Sequence, residues 1–150
     1  LVGLAYAYGL EKELRWRFPP PPTHAKAVPS ADGIAWQPWT PEAVEQARAE
    51  GRPVLVDFTA DWCVTCQANK KTSLEVAAVR QKLRETGTVA LLADYTRENP
   101  EITRELRRFG RAGVPLVLVY PRDPRQPPLV LPSLLTPGIV LDALSKAQGT

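Results

Sequence analysis

The sequence contains few of the side chains from which most enzymatic sites are built. Its 150 residues include two cysteines, one histidine and no methionine. Two cysteines exclude a disulfide scaffold, and the single histidine offers no Ser-His-Asp arrangement for nucleophilic catalysis. The chain has no Gly-rich phosphate loop and no internal repeat. A net charge of +3, without a basic stripe interleaved with aromatic residues, predicts no nucleic-acid partner.

The two cysteines lie in a setting that favours sulfur chemistry. Residues 54–58 form an apolar run that predicts a buried strand, and a short turn leads from it to Cys63-Val64-Thr65-Cys66 at the start of a helix. The partial positive charge of a helix N-terminus stabilises a thiolate at Cys63. Cys66 lies one helical turn later on the same face, within reach of a disulfide. We therefore predict a redox-active dithiol, with Cys63 exposed and Cys66 shielded.

Two other interpretations of the cysteine pair fit less well. A structural zinc site needs about four ligands, and the one histidine, His24, lies far away in a proline-rich stretch. A purely structural disulfide between Cys63 and Cys66 would close a loop too short to restrain much chain entropy. The sequence therefore predicts no metal site and no cofactor.

Helical and strand patterns alternate along the rest of the chain. Helix starts and stops are marked by Thr40-Pro41-Glu42 and by glycines, and strands by short apolar runs. The predicted order is helix 40–50, strand 54–58, a helix from Cys63 through the Val76, Val79 and Leu83 repeat to Gly87, strand 89–93, helix 100–109, strands 116–120 and 129–131, and helix 137–147. This alternation predicts an α/β domain whose central sheet has helices on both faces.

Three residues near the dithiol in sequence or fold have more than one interpretation. Asp57 lies in an apolar strand six positions before Cys63, so we expect a buried carboxyl with a raised pKa that exchanges a proton with a cysteine. The alternative is a strand-end acid facing water. Trp62 either shields the rim of the site or packs in the core. The sequence alone does not show whether the peptide bond before Pro115 is cis or trans, because cis X-Pro bonds are uncommon.

Four stretches carry a pattern more specific than a bare Cys-x-x-Cys. They are Asp57-Phe-Thr-Ala-Asp-Trp-Cys-Val-Thr-Cys66, Ala93-Asp-Tyr-Thr96, Pro100-Glu-Ile-Thr103 and Arg108-Phe-Gly-Arg-Ala-Gly-Val-Pro115. Over about residues 34–147 the chain resembles the C-terminal thioredoxin-like domain of the DsbD family of membrane-embedded thiol:disulfide interchange proteins. The resemblance implies a thioredoxin-like fold, with a central mixed sheet flanked by helices and an N-terminal extension.

The same resemblance implies a role for each site residue. Cys63 is the attacking cysteine, Cys66 the resolving cysteine and Asp57 the buried acid. Pro115, after Val114, is the cis-proline beside the dithiol. One departure stands out, because several members of the family have a glutamate where this chain has Lys70. A cation at Lys70 would favour the thiolate rather than oppose it.

The function implied by the resemblance is that of a protein-disulfide reductase. Its dithiol would take electrons from a transmembrane domain of the same or a partner protein. It would pass them to thiol–disulfide acceptor proteins at the periplasmic face of the bacterial inner membrane.

The N-terminal residues favour a membrane tether. Residues 1–10 are apolar and lead into Arg15-Trp-Arg-Phe18, an interfacial pattern, so residues 1–18 are interpreted as the end of a transmembrane or interfacial helix. An ordinary amphipathic helix is the alternative. Residues 19–33 are proline-rich and polar, which predicts a semi-rigid linker to a redox domain at residues 34–150.

Two other functions remain open at this stage. The first is a membrane-anchored thioredoxin-like reductase that serves cytochrome c maturation. The second is a non-catalytic module that binds copper or a partner protein. Copper(I) favours thiolates, but a copper site gives no role to the acid at Asp57.

Overall fold

The computed structural model describes residues 33–149, so the predictions for residues 1–18 and for the linker before Gly33 lie outside the described residues. The strands are β1 (Gln37–Pro38), β2 (Val54–Thr59), β3 (Val89–Asp94), β4 (Leu116–Tyr120) and β5 (Leu129–Val130). The helices are α1 (Pro41–Ala49), α2 (Val64–Asn69), α3 (Ala77–Thr86), α4 (Pro100–Arg108) and α5 (Pro137–Ala147), and a π-helical turn (Lys70–Leu74) follows α2 directly.

The strands form one mixed sheet in the order β1-β3-β2-β4-β5. The central strand β2 runs parallel to β3 and antiparallel to β4, so it is hydrogen-bonded on both sides. β1 joins β3 in parallel, and β5 joins β4 antiparallel. All six residues of β2 are buried. The predicted central mixed sheet is confirmed.

Two apolar clusters cover the two faces of the sheet. Because side chains alternate along a strand, Leu55 joins one cluster, whereas Val56 and Phe58 join the other. The Leu55 cluster contains residues from α3, α5 and the π-helical turn, among them Leu74. The Phe58 cluster contains residues from α1 and α4. Helices therefore flank both faces, as predicted.

Both edge strands are two residues long, and proline lies within one of them and on either side of the other. β1 itself contains Pro38, which leaves that position without an N–H donor. Pro128 directly precedes β5 and Pro132 follows it. β1 was not predicted, because two residues that include a proline give no recognisable strand pattern.

The helix boundaries follow from local capping. The Thr40 hydroxyl accepts a hydrogen bond from the Ala43 amide at 2.9 Å, and the Thr136 hydroxyl accepts one from the Ile139 amide at 3.2 Å. Gly87 ends α3 with φ of 68°, in the left-handed region where glycine is favoured. The last helix spans residues 137–147 as predicted.

Within residues 33–149, no helix has the length and apolar character needed to cross a membrane.

The prediction of a single helix from Cys63 to Gly87 is wrong, because the structure has two helices with a π-helical turn and a break between them. The chain leaves the π-helical turn at Glu75, whose φ and ψ of −83° and 53° are not helical, and a new helix begins after Val76. The cause is a contact distant in sequence. The Glu75 carboxylate accepts hydrogen bonds from the Ile34 amide at 3.0 and 3.2 Å and from the Trp36 indole at 2.8 Å. Helical spacing alone does not reveal such a contact.

Candidate active site

The dithiol lies at the carboxyl end of the central strand. The chain leaves β2 at Thr59 and turns through Ala60, whose carbonyl accepts hydrogen bonds from the Cys63 amide at 3.1 Å and the Gln67 side chain at 3.0 Å. Cys63 is the N-cap of α2. The turn and the helix therefore fix the position of the first cysteine from both sides.

The two cysteines form a disulfide, with their Cα atoms 5.2 Å apart. The Cys66 amide donates a hydrogen bond to the Cys63 sulfur at 3.2 Å. An amide donor of this kind stabilises a thiolate on the same sulfur when the disulfide is reduced. The start of α2 therefore directs a backbone N–H donor at the Cys63 sulfur.

The prediction that Cys63 is exposed is wrong for the disulfide form. Only 7% of Cys63 and 2% of Cys66 is accessible to solvent. Both cysteines pack in a small cluster with Ala60, against which Tyr95 and Val114 lie. Cys66 is shielded as predicted, and Cys63 is only slightly more accessible than Cys66.

The Val114–Pro115 peptide bond is cis, as the resemblance implied. Val114 packs against the cluster that contains Cys63 and Cys66. The segment that leads into β4 therefore borders the disulfide. Sequence placed Pro115 at the start of a strand, and the fold places its neighbour Val114 against the cluster of Ala60, Cys63 and Cys66.

Asp57 is a buried acid on β2, on the same face of the strand as Leu55. Leu55 packs in one cluster with Leu74 of the π-helical turn, which continues α2. Burial raises the pKa of Asp57 from the ordinary 3.8 to about 7, and the Lys70 cation lowers it in part. Its Oδ2 atom has no hydrogen-bond partner within the described residues. The alternative of an acid facing water is wrong.

Thr59 was not singled out from the sequence, yet it shares this face of β2 with Asp57. It is buried, and its hydroxyl oxygen likewise has no partner within residues 33–149. The sequence did carry a signal for Thr59: it is a polar residue two positions after Asp57 in an otherwise apolar strand.

Lys70 is half-buried at the start of the π-helical turn, four residues after Cys66. Its charge stabilises the carboxylate form of Asp57, which is why the pKa of that acid is not higher still. The structure therefore joins Lys70 to the site through Asp57.

Trp62 lies at the rim of the site and does not pack in the core. The side chain is 59% exposed, and its indole donates a hydrogen bond to the Thr96 carbonyl at 3.1 Å. The neighbouring Asp61 amide donates to the Thr96 hydroxyl at 2.9 Å. These contacts tie the turn before Cys63 to the loop after β3.

Two further residues near the site were missed in the sequence. Asn69 is buried three residues after Cys66, and Arg111 lies four residues before Pro115. Both make hydrogen bonds to the loop between β5 and α5. The available signal for Asn69 was a polar residue on the same helical face as Cys66.

A metal site is not formed by the described residues. Nowhere in residues 33–149 are three or more His, Cys, Asp or Glu side chains grouped so that they could hold a metal ion.

A family model described as thioredoxin-like matches residues 35–122. The chain belongs to the thioredoxin-like family. Among curated relatives, this thioredoxin-like chain is 34% identical over 131 residues to thiol:disulfide interchange protein DsbD of Ralstonia nicotianae, covering 84% of this chain and 21% of the relative. The protein of the same name from Klebsiella pneumoniae is 36% identical over 74 residues, covering 49% of this chain and 12% of the relative. The chain therefore spans about a fifth or less of these relatives.

Solved structures show the same fold. The reduced DsbD C-terminal domain of Neisseria meningitidis matches with a TM-score of 0.57 and 22% identity, covering 73% of this chain and 97% of that domain. A thioredoxin from Thermus thermophilus matches with a TM-score of 0.59 and 24% identity, covering 76% of this chain and 86% of that one. At these identities the likeness establishes the thioredoxin-like fold of this chain.

Proposed function

We propose that this thioredoxin-like domain is a thiol–disulfide oxidoreductase that works as a protein-disulfide reductase. The observation that carries the proposal is the Cys63–Cys66 disulfide at the start of a helix, together with a buried acid, Asp57, whose carboxyl interacts with Lys70 just after that helix. The similarity to DsbD proteins supports the same role. A copper-binding module would use the sulfurs but would leave the buried acid without a purpose.

The first step is an attack by Cys63 in the reduced domain. The Cys63 thiolate attacks one sulfur of a partner disulfide, a mixed disulfide forms, and the other partner sulfur leaves as a thiolate that takes up a proton. In the disulfide form the Cys66 amide lies 3.2 Å from the Cys63 sulfur, and the same donor stabilises the thiolate once the domain is reduced. The leaving sulfur carries the electron pair of the broken partner disulfide.

The second step uses Cys66 and Asp57. Asp57 in its carboxylate form accepts the proton of the Cys66 thiol, and the resulting thiolate attacks the Cys63 sulfur. The Cys63–Cys66 disulfide forms and the second partner sulfur leaves as a thiolate. Two electrons have then passed to the partner. A pKa of about 7 keeps both forms of Asp57 populated near neutral pH.

A donor dithiol must restore the reduced form by the same chemistry in reverse. We place that donor in a transmembrane domain of the same or a partner protein, and the acceptors among periplasmic thiol–disulfide proteins. The setting would be the periplasmic face of the bacterial inner membrane, with the tether at the N-terminus. Similarity to DsbD proteins supports these partners and this location.

The test is the redox potential of the full chain, obtained by equilibration with glutathione redox buffers. Val64 and Thr65, between the cysteines, include no histidine, the residue that stabilises the thiolate in strongly oxidising relatives. We therefore expect a potential nearer the about −270 mV of thioredoxin than the about −120 mV of DsbA. A potential at the oxidising end would contradict the reductase assignment. A Cys63→Ser/Cys66→Ser variant provides the baseline.

A further inference from the structure

Three arginines line an open cavity that the proposed function does not use. The cavity has a volume of about 480 Å³, and its walls include Arg52, Arg80 and Arg84 but no acidic side chain of the described residues. We call it the arginine cavity. Most of its remaining wall comes from residues 33–35 and 87–90. A volume of this size lies in the range of small-molecule sites, about 300–1,000 Å³.

The arginine cavity lies at the opposite end of the central strands from the dithiol. Arg52 comes two residues before β2 begins, and Val89, which also lines the cavity, is the first residue of the parallel strand β3. The cysteines follow the last residue of β2, Thr59. Strand residues rise about 3.3 Å each, so the six residues of β2 separate the two ends by about 20 Å. A ligand in the cavity would therefore leave the dithiol uncovered.

Helical spacing brings two of the arginines together on α3. Arg80 and Arg84 are four residues apart, so their side chains are neighbours on the helix surface, where like charges repel. Arg84 is exposed, and among the described residues its guanidinium has no hydrogen bond or ion pair. Arg80 lies 3.8 Å from the Glu75 carboxylate, which already accepts hydrogen bonds from the Ile34 amide and the Trp36 indole. An anion between the two arginines would relieve their repulsion.

Arg52 is held against the end of the same helix. Its Nε atom donates a hydrogen bond to the carbonyl of Gly87, the residue that ends α3, at 2.8 Å. Within residues 33–149 this bond leaves both Nη atoms of Arg52 available to a ligand. A guanidinium that is already held loses less conformational entropy when it binds an anion.

A backbone donor also borders the cavity. The Val89 amide donates to the Pro53 carbonyl at 2.9 Å, on the side of β3 that faces β2. Successive amides of a strand point to opposite sides, so the Ala90 amide is directed towards β1. Pairing with β1 begins only where Gln37 lies opposite Leu91. The edge of β3 at Ala90 therefore lines the cavity, with its amide on the side of the ligand.

These donors suit a phosphate group better than a carboxylate. A guanidinium binds either anion through two parallel hydrogen bonds. A carboxylate offers two oxygens and one charge. A phosphate ester offers three acceptor oxygens and about 1.5 to 2 negative charges near neutral pH. Three guanidiniums and one amide are therefore better matched by the phosphate.

We propose that the arginine cavity binds a phosphate group through Arg52, Arg80 and Arg84. Both a soluble phosphate ester and the headgroup of an anionic phospholipid present this group. The inference does not depend on the proposed thiol–disulfide exchange, because the cavity and the dithiol lie at opposite ends of β2.

The test titrates the oxidised full chain with inorganic phosphate, glycerol 3-phosphate and succinate at about 0.15 M ionic strength, where long-range attraction is screened. Calorimetry gives the dissociation constants, and amide NMR spectra locate the site. We expect saturable binding of the phosphate compounds, weaker binding of succinate, and the largest NMR shifts at residues 88–90. A second arm measures cosedimentation with vesicles of phosphatidylglycerol or of phosphatidylcholine.

Arg84→Gln should weaken binding of the phosphate group about tenfold, as for loss of one charged hydrogen-bonded contact. Arg84→Lys should lose less, because it keeps the charge but not the planar fork. Arg104→Gln is the matched control, since Arg104 is also an exposed helical arginine but lies on α4, outside the cavity. It should change the affinity by less than about twofold. Both Gln variants should reduce hydroxyethyl disulfide at the parent rate.

The outcomes separate the two sources of the phosphate group. Saturable binding of glycerol 3-phosphate that Arg84→Gln weakens would assign the cavity to a soluble phosphate ester. Binding to phosphatidylglycerol vesicles alone, weakened by the same substitution, would assign it to a lipid headgroup. Residues 1–18 are the same in every variant, so any vesicle binding of their own cancels in this comparison. No binding of any phosphate, tighter binding of succinate, or equal losses in Arg84→Gln and Arg104→Gln would overturn the inference.

Discussion

Lys70 and burial act in opposite directions on the pKa of Asp57, and burial prevails. The acid lies on β2, and the cation lies on the turn that continues the cysteine helix. Burial alone would keep the acid neutral, whereas the nearby cation restores part of the stability of the carboxylate. The result is a group whose pKa of about 7 lets it hold and release a proton near neutral pH.

Asp57→Asn should stabilise the oxidised domain at high pH and much less at low pH. The folded-state pKa is raised from 3.8 to about 7, so the native state binds the proton more tightly than the unfolded chain. Stability is therefore lost as pH rises from 4 to 7, in total about 4 kcal/mol as an upper bound. Urea unfolding at pH 4 and pH 8 measures the difference. Asp61→Asn, at an exposed acid of the same turn, is the control. Equal stabilisation at both pH values would contradict the assigned titration.

Lys70→Met should move the pH dependence of the resolving step upward. Without the cation, the pKa of Asp57 rises, and fewer carboxylates are present between pH 6 and pH 8 to accept the Cys66 proton. The measurement is the release of a chromophoric thiol from its mixed disulfide with Cys63. Lys70→Arg should keep the parent profile, and so should Lys71→Met at the exposed neighbouring position. Superimposable profiles for Lys70→Met and the parent would show that the charge is not coupled to the reaction. Lys70→Glu should shift the profile further and raise the pKa values of the thiols.

Cys66→Ser should trap a mixed disulfide between Cys63 and a partner protein. The attack by Cys63 is kept, but no thiol remains to release the partner. Cys63→Ser should trap nothing, because Cys66 is almost completely shielded at 2% exposure. Non-reducing electrophoresis with mass spectrometry identifies the adduct. Trapping by Cys63→Ser alone would reverse the two roles.

Glu75→Ala should destabilise the domain by about 2 kcal/mol, as for loss of hydrogen bonds to a charged acceptor. Its carboxylate accepts from the Ile34 amide and the Trp36 indole, and Arg80 lies 3.8 Å away. Urea unfolding measures the loss. The redox potential should not change, because none of these groups contacts the dithiol. Glu85→Ala, at an exposed acid on α3, should cost far less. A shifted redox potential in Glu75→Ala would show that the contacts of Glu75 with Ile34 and Trp36 also affect the cysteine pair.

The helices and inner strands could be predicted because their signals are local. The Thr40 hydroxyl and Gly87 lie at observed helix ends, and the apolar run at residues 54–58 is the core of β2. The break at Glu75 could not be predicted, because it depends on hydrogen bonds to Ile34 and Trp36 that span about forty positions of sequence.

The same distinction holds at the site. Burial of Asp57 follows from its place in an apolar strand. The sequence predicted that Lys70 acts on the thiolate, and its effect on the pKa of Asp57 depends on how the strand and the π-helical turn pack together. The contacts of Asn69 and Arg111 depend on the path of the loop between β5 and α5, which no local pattern specifies. The accessibility of Cys63 was misjudged because its neighbours Tyr95 and Val114 come from other parts of the chain.

The two short edge strands limit how copies of this domain can associate. An exposed sheet edge is a template for pairing with another chain, and long, flat edges lead to aggregation. Here β1 and β5 each present two residues, Pro38 lacks a donor, and Pro128 and Pro132 bound the other edge. Across residues 33–149, neither edge is long enough to seed a growing intermolecular sheet. The described part of the domain therefore offers a second copy little backbone to which it could add a strand.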